Sequence, residues 1–482
     1  MKYFIETYGC QMNVHDSERM AGLLEASGYE PARDESDADV VVINTCSVRE
    51  KAEDKLYARL GDLKGLQRVT GRAPIVAVTG CVAQQEGSQL LARSDLIDVV
   101  LGTQRVKMLP LLVAQARRRS AAPDHAAAGH ADRSPAARRA SVGPAAAAGD
   151  ISALAAIVDV STPYDEPSFP LGLTRHTDPV KAYVTIIEGC NDFCAFCVVP
   201  YTRGHERMRA KAEILADVRH AVDHGRREIQ LLGQIVNHYQ APDDPSCDFA
   251  GLLERVSLVP GVRRIRFASP HPRHASDRLI AAVRDLPAVC KHIHLPVQSG
   301  ATSVLQRMRR RYTRAQYLEL VLKIREAIPN IQLSTDMIVG FPGETDQEFE
   351  DTLSLTETVR FHSMFSFKYS ERPNTLASKR LPDDVADEVK TRRIRGLQLL
   401  QRRIQLELHE AAIGQRVEVL IDSRSRRRDW EVSGRTSGNT VVNLPGRADW
   451  VGRFIDVELR RAGPNSVWGE PAPQLDGVAV GS

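Results

Sequence analysis

The sequence predicts an α/β protein with three parts: an N-terminal open parallel α/β sheet, a central partial (β/α)6 barrel and a small all-β barrel at the C-terminus. Three observations predict this fold class. In the first hundred residues, short apolar runs alternate with amphipathic stretches, as strands and helices do in a parallel sheet. Six further strand-and-helix units follow from about residue 174. The last seventy residues carry short alternating strands punctuated by glycine.

Length and composition indicate an ordinary globular protein of about three domains, with 482 residues, 43% hydrophobic content and a net charge of +3. The N-terminus MKYFIETYGC lacks the apolar core of a signal peptide, and no apolar run of about 18 residues occurs. Eight cysteines in such a chain are typical of ligands or reduced thiols rather than disulfides. We therefore expect a cytoplasmic protein that does not contact the membrane.

The N-terminal domain is predicted over residues 1–114. Its strands are apolar over most of their length, which is typical of parallel strands buried on both faces. The predicted strands are Lys2–Thr7, Val40–Asn44, Ile75–Thr79 and Val99–Leu101, and the predicted helices are Asp16–Ser27, Glu50–Leu66 and one from Gln84.

Three cysteines of this domain directly follow predicted strands, in the segments YGC, NTC and TGC. The carboxyl ends of parallel strands share one edge of the sheet, and ligands bind at that edge. We therefore expect Cys10, Cys46 and Cys81 to converge and to hold a 4Fe-4S cluster with one open iron. Three buried structural thiols are the alternative, since free cysteine is among the most buried residue types.

Residues 115–173 are predicted to form a partly disordered linker. The stretch from about residue 115 to 150 is rich in Ala, Arg and Pro and has no hydrophobic periodicity. Its arginines suit RNA contact, but a tolerated insertion is the simpler interpretation.

The central domain is predicted over residues 174–410, with its active site at the carboxyl ends of the strands, as in a full barrel. Six strands are predicted, and helical stretches separate them. They are Ala182–Ile187, Glu228–Leu232, Arg264–Ala268, His292–Leu295, Gln332–Ile338 and Met364–Tyr369.

The loop after the first of these strands carries Cys190, Cys194 and Cys197 in the spacing CxxxCxxC. Three thiolates can hold three irons of a 4Fe-4S cluster and leave the fourth iron open. A structural zinc site is the alternative, but it takes four ligands. His205 would be the fourth, although its arginine neighbours indicate a basic surface. The spacing, with Phe196 just before the last cysteine, resembles the loop of the radical AdoMet enzymes.

This resemblance implies that the open iron binds S-adenosylmethionine (AdoMet), and that an electron splits it into methionine and a 5′-deoxyadenosyl radical. Segments after the later strands, LLGQIVNHY, SPHP, LPVQSG and IVGFPGET, would then contact AdoMet, although polar residues there also commonly cap helices. Two residues depart from the family pattern: Ile235 replaces an Asn, and Asn374 replaces a Gly. The implied contacts are Phe196, Gly233, Gln234, Gln298, Ser299 and Gly340. Cys247 and Cys290 match no motif and are interpreted as passive thiols.

Four N-terminal segments, TYGCQMNVHDSE, INTCSVREKAEDK, TGCVAQQEG and VLGTQ, resemble the methylthiotransferases. Gln11, Met12 and Asn13 after Cys10 are similar to the MiaB-type tRNA enzymes of that family. The branch that modifies a ribosomal-protein aspartate tends to Pro-Lys-Asn there, and the branch that modifies threonylcarbamoyladenosine to Lys-Val-Asn.

The C-terminal domain is predicted over residues 411–476 as a small barrel. Its segment GRTSGNTVVNLPG resembles the TRAM module of RNA-modifying enzymes, and a barrel that only caps the core is the alternative. Its predicted strands are Arg416–Asp422, Trp430–Arg435, Thr440–Leu444, Phe454–Arg460 and Ser466–Gly469.

Basic residues cluster in three places; the runs at residues 307–311 and 424–428 suit nucleic acid, although a charge run is more often a solvated face. One run follows residue 306, another lies along a helix, and the third would supply phosphate contacts from the C-terminal domain. Their members are Arg307, Arg309, Arg310 and Arg311; Arg392, Arg395, Arg402 and Arg403; and Arg424, Arg426, Arg427 and Arg428.

The resemblance implies methylthiolation of carbon 2 of N(6)-dimethylallyladenosine beside the tRNA anticodon, by radical sulfur insertion and methyl transfer with two AdoMet. It implies two 4Fe-4S clusters, one on Cys10, Cys46 and Cys81 and one on the CxxxCxxC loop. The expected partners are the tRNA anticodon stem-loop and a low-potential electron donor, and the expected state is a monomer. The same chemistry on threonylcarbamoyladenosine or on a ribosomal-protein aspartate is the first alternative. A non-catalytic iron-sulfur RNA-binding protein is the second.

Overall fold

The computed structural model describes residues 1–47, 50–120, 156–162, 172–425 and 428–473, without the side chains of residues 50–53. The chain divides into two compact units. The first comprises residues 1–177, 188–191 and 198–206, and the second comprises residues 178–187, 192–197 and the chain from residue 207 onward. In the described part of the chain, no helix is both long and apolar enough to cross a membrane.

The first unit is built on a six-stranded sheet in the order β2-β1-β3-β4-β5-β6, and every strand pair in it is parallel. The predicted open parallel α/β sheet is therefore confirmed. Apolar side chains pack on both faces of β3 and β4, which are completely buried. The strands are β1 (Lys2–Tyr8), β2 (Glu30–Pro31), β3 (Val40–Thr45), β4 (Ile75–Gly80), β5 (Val99–Leu101) and β6 (Ile157–Asp159). The helices are α1 (Gln11–Ala26), α2 (Glu50–Thr70), α3 (Cys81–Glu86), α4 (Gln89–Arg93), α5 (Leu109–Ser120) and α6 (Val199–Thr202).

Three details of the first unit differ from the sequence prediction. Helix α1 begins at Gln11, five residues before the predicted start, because its first turns bury polar side chains that hide the apolar periodicity. The predicted linker also contains strand β6, which pairs in parallel with β5. Helix α5 crosses the predicted boundary at residue 114. The rest of the predicted linker, residues 121–155 and 163–171, lies outside the described residues.

The second unit contains two three-stranded parallel sheets, in the orders β11-β10-β7 and β12-β13-β14. A parallel bridge between Ile265 and Val289 joins them into the predicted partial (β/α)6 barrel. The barrel strands are β7 (Lys181–Thr185), β10 (Glu228–Leu232), β11 (Arg264–Phe267), β12 (His292–His294), β13 (Gln332–Val339) and β14 (Ser363–Lys368), and the short strands β8 (Ile187–Glu188) and β9 (Arg207–Met208) follow β7 along the chain. The helices are α7 (Lys211–Asp223), α8 (Phe249–Ser257), α9 (Asp277–Asp285), α10 (Thr302–Arg307), α11 (Arg314–Ala327), α12 (Asp346–Val359), α13 (Leu376–Arg380) and α14 (Asp387–Ala411).

The C-terminal strands close into a five-stranded barrel in the order β15-β16-β17-β19-β18, which confirms the predicted small all-β barrel. Its interior is filled mainly by valine, leucine and isoleucine side chains. Of the predicted phosphate contacts, Arg426 and Arg427 lie outside the described residues. The strands are β15 (Arg416–Arg424), β16 (Glu431–Thr436), β17 (Val441–Pro445), β18 (Phe454–Ala462) and β19 (Val467–Pro471).

The C-terminal barrel packs against the amino-terminal ends of the central strands. Arg264 donates to the carbonyl of Arg435 at 2.6 Å, and Arg266 donates to the carbonyl of Thr436 at 2.7 Å. The carboxyl ends of the central strands therefore lie at the opposite edge of their sheets.

Candidate functional site

Cys10, Cys46 and Cys81 directly follow strands β1, β3 and β4, and the structure brings their thiols together. Cys46 and Cys81 are buried, and Cys10 is half-buried. Interaction with the Cys46 thiol lowers the pKa of Cys10 to about 6 and that of Cys81 to about 7. The pKa of Cys46 is raised in turn, by Cys10, by Cys81 and by burial. The trio therefore contains two thiols that ionise readily, as metal-binding cysteines must.

Glycine is required beside two of these cysteines because the strand ends are crowded. Gly80 has a φ of +91°, and a Cβ there would lie 2.3 Å from Oδ1 of Asn44 and 2.6 Å from the carbonyl oxygen of Thr45. A Cβ on Gly9 would lie 2.6 Å from Cβ of Cys46. A side chain at either position would push the strand ends apart and displace the adjoining cysteines.

Buried amide side chains tie the ends of β1 and β3 to the start of helix α1. Nδ2 of Asn13 donates to Oδ1 of Asn44 at 3.2 Å, and Nδ2 of Asn44 donates to the carbonyl of Asn13 at 2.8 Å and to Oγ of Ser17 at 2.9 Å. Ser17 in turn lies 2.7 Å from Oγ1 of Thr7. Since buried polar groups need partners, this network fixes the start of helix α1 against β1 and β3.

A buried arginine supplies positive charge beside this trio. Nη2 of Arg203 donates to Oδ2 of Asp16 at 2.7 Å, and both side chains are almost completely buried. Burial opposes the charge on Arg203, but Asp16 and the thiols of Cys81 and Cys10 hold its pKa well above the ordinary value. Arg203 also lowers the pKa of Cys10 and Cys81. Its guanidinium therefore favours their thiolate forms.

The backbone around Arg203 is held by residues just after β5. Oγ1 of Thr103 donates to the carbonyl of Thr202, and Nε2 of Gln104 donates to the carbonyl of Arg203 at 2.7 Å. Gln104 belongs to the VLGTQ segment of the sequence analysis. The VLGTQ segment therefore positions Arg203 beside the thiols of the first unit.

The CxxxCxxC loop is shared between the two units, and Cys190 belongs to the first. Cys190 is buried, and its N–H donates to the carbonyl of Gly204 at 3.2 Å. The preceding Gly189 has a φ of +79°, and a Cβ there would lie 2.1 Å from the carbonyl oxygen of His205. Glycine at this position therefore allows the backbone to fold tightly around Cys190.

Cys194 and Cys197 belong to the second unit, where the N–H of Cys197 donates to the carbonyl of Cys194 at 3.0 Å. A second buried arginine contacts this turn, since Nη1 of Arg310 donates to Sγ of Cys194 at 3.4 Å. The same guanidinium is held by the carbonyl of Pro296 at 3.1 Å and by the hydroxyl of Tyr312 at 3.1 Å. Arg310 is therefore aimed rigidly at the cysteine sulfur.

The six residues expected to contact AdoMet occupy different environments in the second unit. Gly233 and Gln234 follow β10, and Oε1 of Gln234 is buried with no hydrogen-bond partner among the described residues. Gln298 has a φ of +78° and bridges to Met337, and Gly340 has a φ of +69° and donates its N–H to Glu344 at 2.8 Å.

Ser299 and Phe196 serve the packing of the core. Oγ of Ser299 lies 3.5 Å from Oγ1 of Thr352 on helix α12 and accepts from the N–H of Ala301 at 3.3 Å. The ring of Phe196 packs against a small apolar cluster that includes Phe341 and Tyr369. Of the six, only Gln234 has a buried acceptor that is left unsatisfied.

Several arginines interpreted as surface charge have buried partners instead. Arg203 and Arg209 near His205 are buried, and Arg209 pairs with Asp217 at 2.8 Å. In the run after residue 306, Arg307 pairs with Glu348 at 2.8 Å and Arg310 contacts Cys194. The basic-surface interpretation was wrong for Arg203, Arg209 and Arg310, because all three are buried. Arg307 is half-buried and is paired with a carboxylate 41 residues away.

The remaining residues that the sequence analysis singled out have ordinary surroundings. Ile235 is buried, and Asn374 takes a φ of +69°, a conformation that Asn tolerates. Cys247 and Cys290 are buried, and burial raises the pKa of both thiols. A raised pKa disfavours the thiolate that metals bind.

The chemistry of the donor set decides which inorganic group would fit. The donors are thiols with adjacent guanidinium groups, and soft thiolate ligands select iron-sulfur clusters, zinc or copper rather than calcium or magnesium. In the described part of the chain, no three His, Cys, Asp or Glu side chains are grouped so that they could hold a single metal ion. Thiols with nearby positive charge fit a 4Fe-4S cluster, whose own charge with three thiolates is negative.

Three family models match the chain in order. They are described as Uncharacterized protein family UPF0004 over residues 2–102, Radical SAM superfamily over residues 184–356 and TRAM domain over residues 410–472. The matches follow the N-terminal sheet, the partial barrel and the closed C-terminal barrel described above.

Curated relatives match over nearly the whole length. A tRNA-2-methylthio-N(6)-dimethylallyladenosine synthase of Geotalea uraniireducens is 44% identical over 469 residues, covering 97% of this chain and 98% of that protein. The protein of the same name from Agrobacterium fabrum is 40% identical over 478 residues, covering 98% and 97%.

A solved structure has a similar fold. The radical S-adenosylmethionine methyltransferase TsrM from Kitasatospora setae, with cobalamin and a [4Fe-4S] cluster bound, superposes with a TM-score of 0.51 at 12% identity. It covers 78% of this chain, and the alignment spans 77% of that one. The curated relatives share 40–44% of their residues with this chain over almost their full length, and the three domain models match in order. The chain therefore belongs to the radical AdoMet methylthiotransferase family, with the tRNA-2-methylthio-N(6)-dimethylallyladenosine synthases.

Proposed function

We propose that this chain methylthiolates carbon 2 of N(6)-dimethylallyladenosine next to the anticodon of tRNA. The observation that carries the proposal is the convergence of Cys10, Cys46 and Cys81 at one sheet edge, in a chain that also has the CxxxCxxC loop. Relatives of nearly equal length carry the name of this activity. An adenosine in a single-stranded loop can be splayed into a pocket without melting a duplex.

In this proposal Cys10, Cys46 and Cys81 hold one 4Fe-4S cluster, and Cys190, Cys194 and Cys197 hold the other. Bound clusters and AdoMet supply the electron, the hydrogen-abstracting radical, the sulfur and the methyl group, because carbon 2 offers no acidic proton and no leaving group. The chain's own residues bind and orient these groups. Arg203 and Arg310 balance the negative charge of the thiolates, and each stays in place through buried hydrogen bonds.

The remaining AdoMet contacts belong to the same proposal. Oε1 of Gln234 is a buried acceptor that suits the amino group of the methionine part of AdoMet. Gln298 and Gly340 offer backbone in the left-handed region at strand ends, where a ligand can approach closely. The apolar cluster around Phe196 excludes water from the cysteine turn.

The expected partners follow from this chemistry. We propose the tRNA anticodon stem-loop as substrate, a low-potential electron donor as reductant, a monomer as the working state and the cytoplasm as the location. We propose that the chain divides into three domains and a linker. The domains cover residues 1–114, 174–410 and 411–476, and the linker covers residues 115–173.

Two cysteine variants test the assignment. Cys190→Ala should abolish reductive cleavage of AdoMet, measured as 5′-deoxyadenosine formed after reduction with dithionite. Cys10→Ala should retain cleavage but form no methylthiolated nucleoside, measured by mass spectrometry of tRNA digests. Cys247→Ala, at a buried thiol outside both trios, is the matched control and should form product. Normal product from either of the first two variants would refute the proposal.

The same nucleoside analysis tests the substrate. In a deletion strain, loss of the 2-methylthio form of dimethylallyladenosine is the expected result. Loss of 2-methylthio-threonylcarbamoyladenosine, or of the modified ribosomal-protein aspartate, would move the chain to another branch of the family.

A further inference from the structure

We propose that a groove between strand β14, helix α14 and the loop at residues 463–465 binds single-stranded nucleotides of the tRNA substrate. The groove has a volume of about 600 Å³ and lies entirely within the second unit. It contains none of the cysteines and none of the expected AdoMet contacts. The proposal rests on the proposed function, since it takes tRNA as the substrate.

One wall of the groove is a polar face of α14. Arg395, Gln398, Leu399 and Arg402 are spaced at three and four residues, so they lie on one side of the helix, and all four are exposed. Within the described residues, Arg395 and Arg402 make no ion pair, whereas Arg393 and Arg403 on the same helix pair with carboxylates. The groove therefore holds two guanidinium groups that are available to an anion.

A second wall is β14, the last strand of its sheet, where Phe365 and Phe367 are among the residues that line the groove. Phe365 is 56% exposed and Phe367 is 40% exposed, which is unusual for phenylalanine on a barrel strand. The ring of Phe365 is in edge contact with His294, at 6.1 Å between centroids. This contact restricts the orientation of the ring. Exposed aromatic faces at a strand position are the platforms on which unpaired bases stack.

The third wall comes from the C-terminal barrel and is polar. Asn465 and Pro464 line it, and the preceding Gly463 accepts a 2.6 Å contact at its carbonyl from Nδ1 of His409, near the end of α14. Gln405 and Asn465 offer amides that can pair with base edges, and Nε2 of the neighbouring Gln398 donates to Oγ of Ser366 on β14 at 3.1 Å. The described residues that line the groove include no carboxylate.

This combination favours RNA over other occupants. Guanidinium groups without acidic neighbours attract phosphates, aromatic rings stack on bases, and amides read base edges. A groove built for an apolar peptide would lack the two unpaired arginines, and one built for duplex RNA would need no aromatic platform. A protein segment as occupant is therefore an outcome that the experiment must exclude.

The test uses the full chain and a fluorescein-labelled anticodon stem-loop RNA, with binding measured by anisotropy over a series of salt concentrations. Phe365→Ala should weaken binding about 5- to 150-fold, the range for loss of one base-stacking contact. The double variant Arg395→Ala/Arg402→Ala should weaken binding and reduce the salt slope by about 1 to 2, since each phosphate contact contributes about one unit. All variants should keep wild-type circular dichroism, because the changed side chains are exposed.

Arg403→Ala is the matched control, because Arg403 is exposed on the same helix but pairs with Glu357. It should bind RNA within twofold of the wild type. Equal weakening by Arg403→Ala, or equal weakening for a perfect duplex of the same length, would overturn the proposal, as would unchanged binding by all groove variants. Failure of the proposed function is separate: the wild type would then bind RNA through this groove yet form no methylthiolated nucleoside.

Discussion

Replacement of Arg203 by methionine should destabilise the first unit by about 3–5 kcal/mol, the usual cost of leaving a buried charge without its partner. Methionine keeps most of the side-chain volume, so the change removes the charge rather than the packing. Asp16, the partner of Arg203, is only 3% exposed and has no access to water that could replace the lost donor. Arg19 lies 3.8 Å from Asp16, which is too far for a hydrogen bond.

The effect can be read by hydrogen exchange of peptides that cover β3, because that strand is completely buried in the first unit. Fluorescence is unsuitable, since Trp430, Trp450 and Trp468 all lie in the C-terminal barrel. A loss of about 3–5 kcal/mol corresponds to exchange that is faster by about two to three and a half orders of magnitude, at about 1.4 kcal/mol per factor of ten.

Two further variants separate the buried charge from other causes. Arg72→Met is the control in the same unit: Arg72 is half exposed and pairs with Asp39 at 3.2 Å, and such surface pairs contribute about 0–1 kcal/mol. Adding Asp16→Asn to Arg203→Met should recover part of the protection, because the unpaired carboxylate is gone. If Arg203→Met changes the exchange of β3 by less than threefold, the buried ion pair is not what holds this region.

Two other predictions concern the surroundings of the cysteines. Gly80→Ala should lower the iron content after anaerobic reconstitution and should destabilise the chain. Gly28→Ala is the control and should have a smaller effect, because Gly28 has a similar φ of +83° but no atom within 4 Å of the new Cβ. Equal losses would show that backbone strain, not crowding, is responsible. Arg310→Met should lower the midpoint reduction potential of the cluster on the CxxxCxxC loop, measured by EPR-monitored titration, because hydrogen bonds and positive charge at a cluster sulfur favour the reduced state. Arg311→Met, at the exposed neighbouring residue, is the control, and an equal shift there would argue against a specific contact of Arg310.

The sheet of the first unit could be predicted closely because buried parallel strands are apolar along their whole length. The predicted Val40–Asn44 and Ile75–Thr79 each fall one residue short of the observed strands. Strand β6 was missed because it has only three residues and is half-exposed. Strand β6 is placed by its backbone pairing with β5, which is distant in the sequence. The three residues of β6 carry no pattern that predicts this pairing.

The cysteines of the candidate site could be found from sequence, because their positions after strands or in one short loop are local features. The two arginines could not be found, because their acceptors are remote: Asp16 is 187 residues from Arg203, and Cys194 is 116 residues from Arg310. Both arginines sit in basic runs, and such runs usually indicate a solvated face. The one available signal was that Arg203 closely follows the cysteine loop.

The attachment of the C-terminal barrel bears on the RNA groove. Arg264 and Arg266 are buried beneath that barrel, and their guanidinium groups are satisfied by its carbonyl oxygens and by Glu418 and Glu228. Moving the barrel away would remove the acceptors of Arg264 and the carbonyl acceptors of Arg266, which would keep only its ion pair with Glu228 on β10. The barrel is therefore fixed to the central strands, and the wall that contains Asn465 keeps its distance from Phe365. A groove with rigid walls loses little conformational entropy when a base stacks in it. We therefore expect single substitutions in the groove to alter the affinity for RNA measurably.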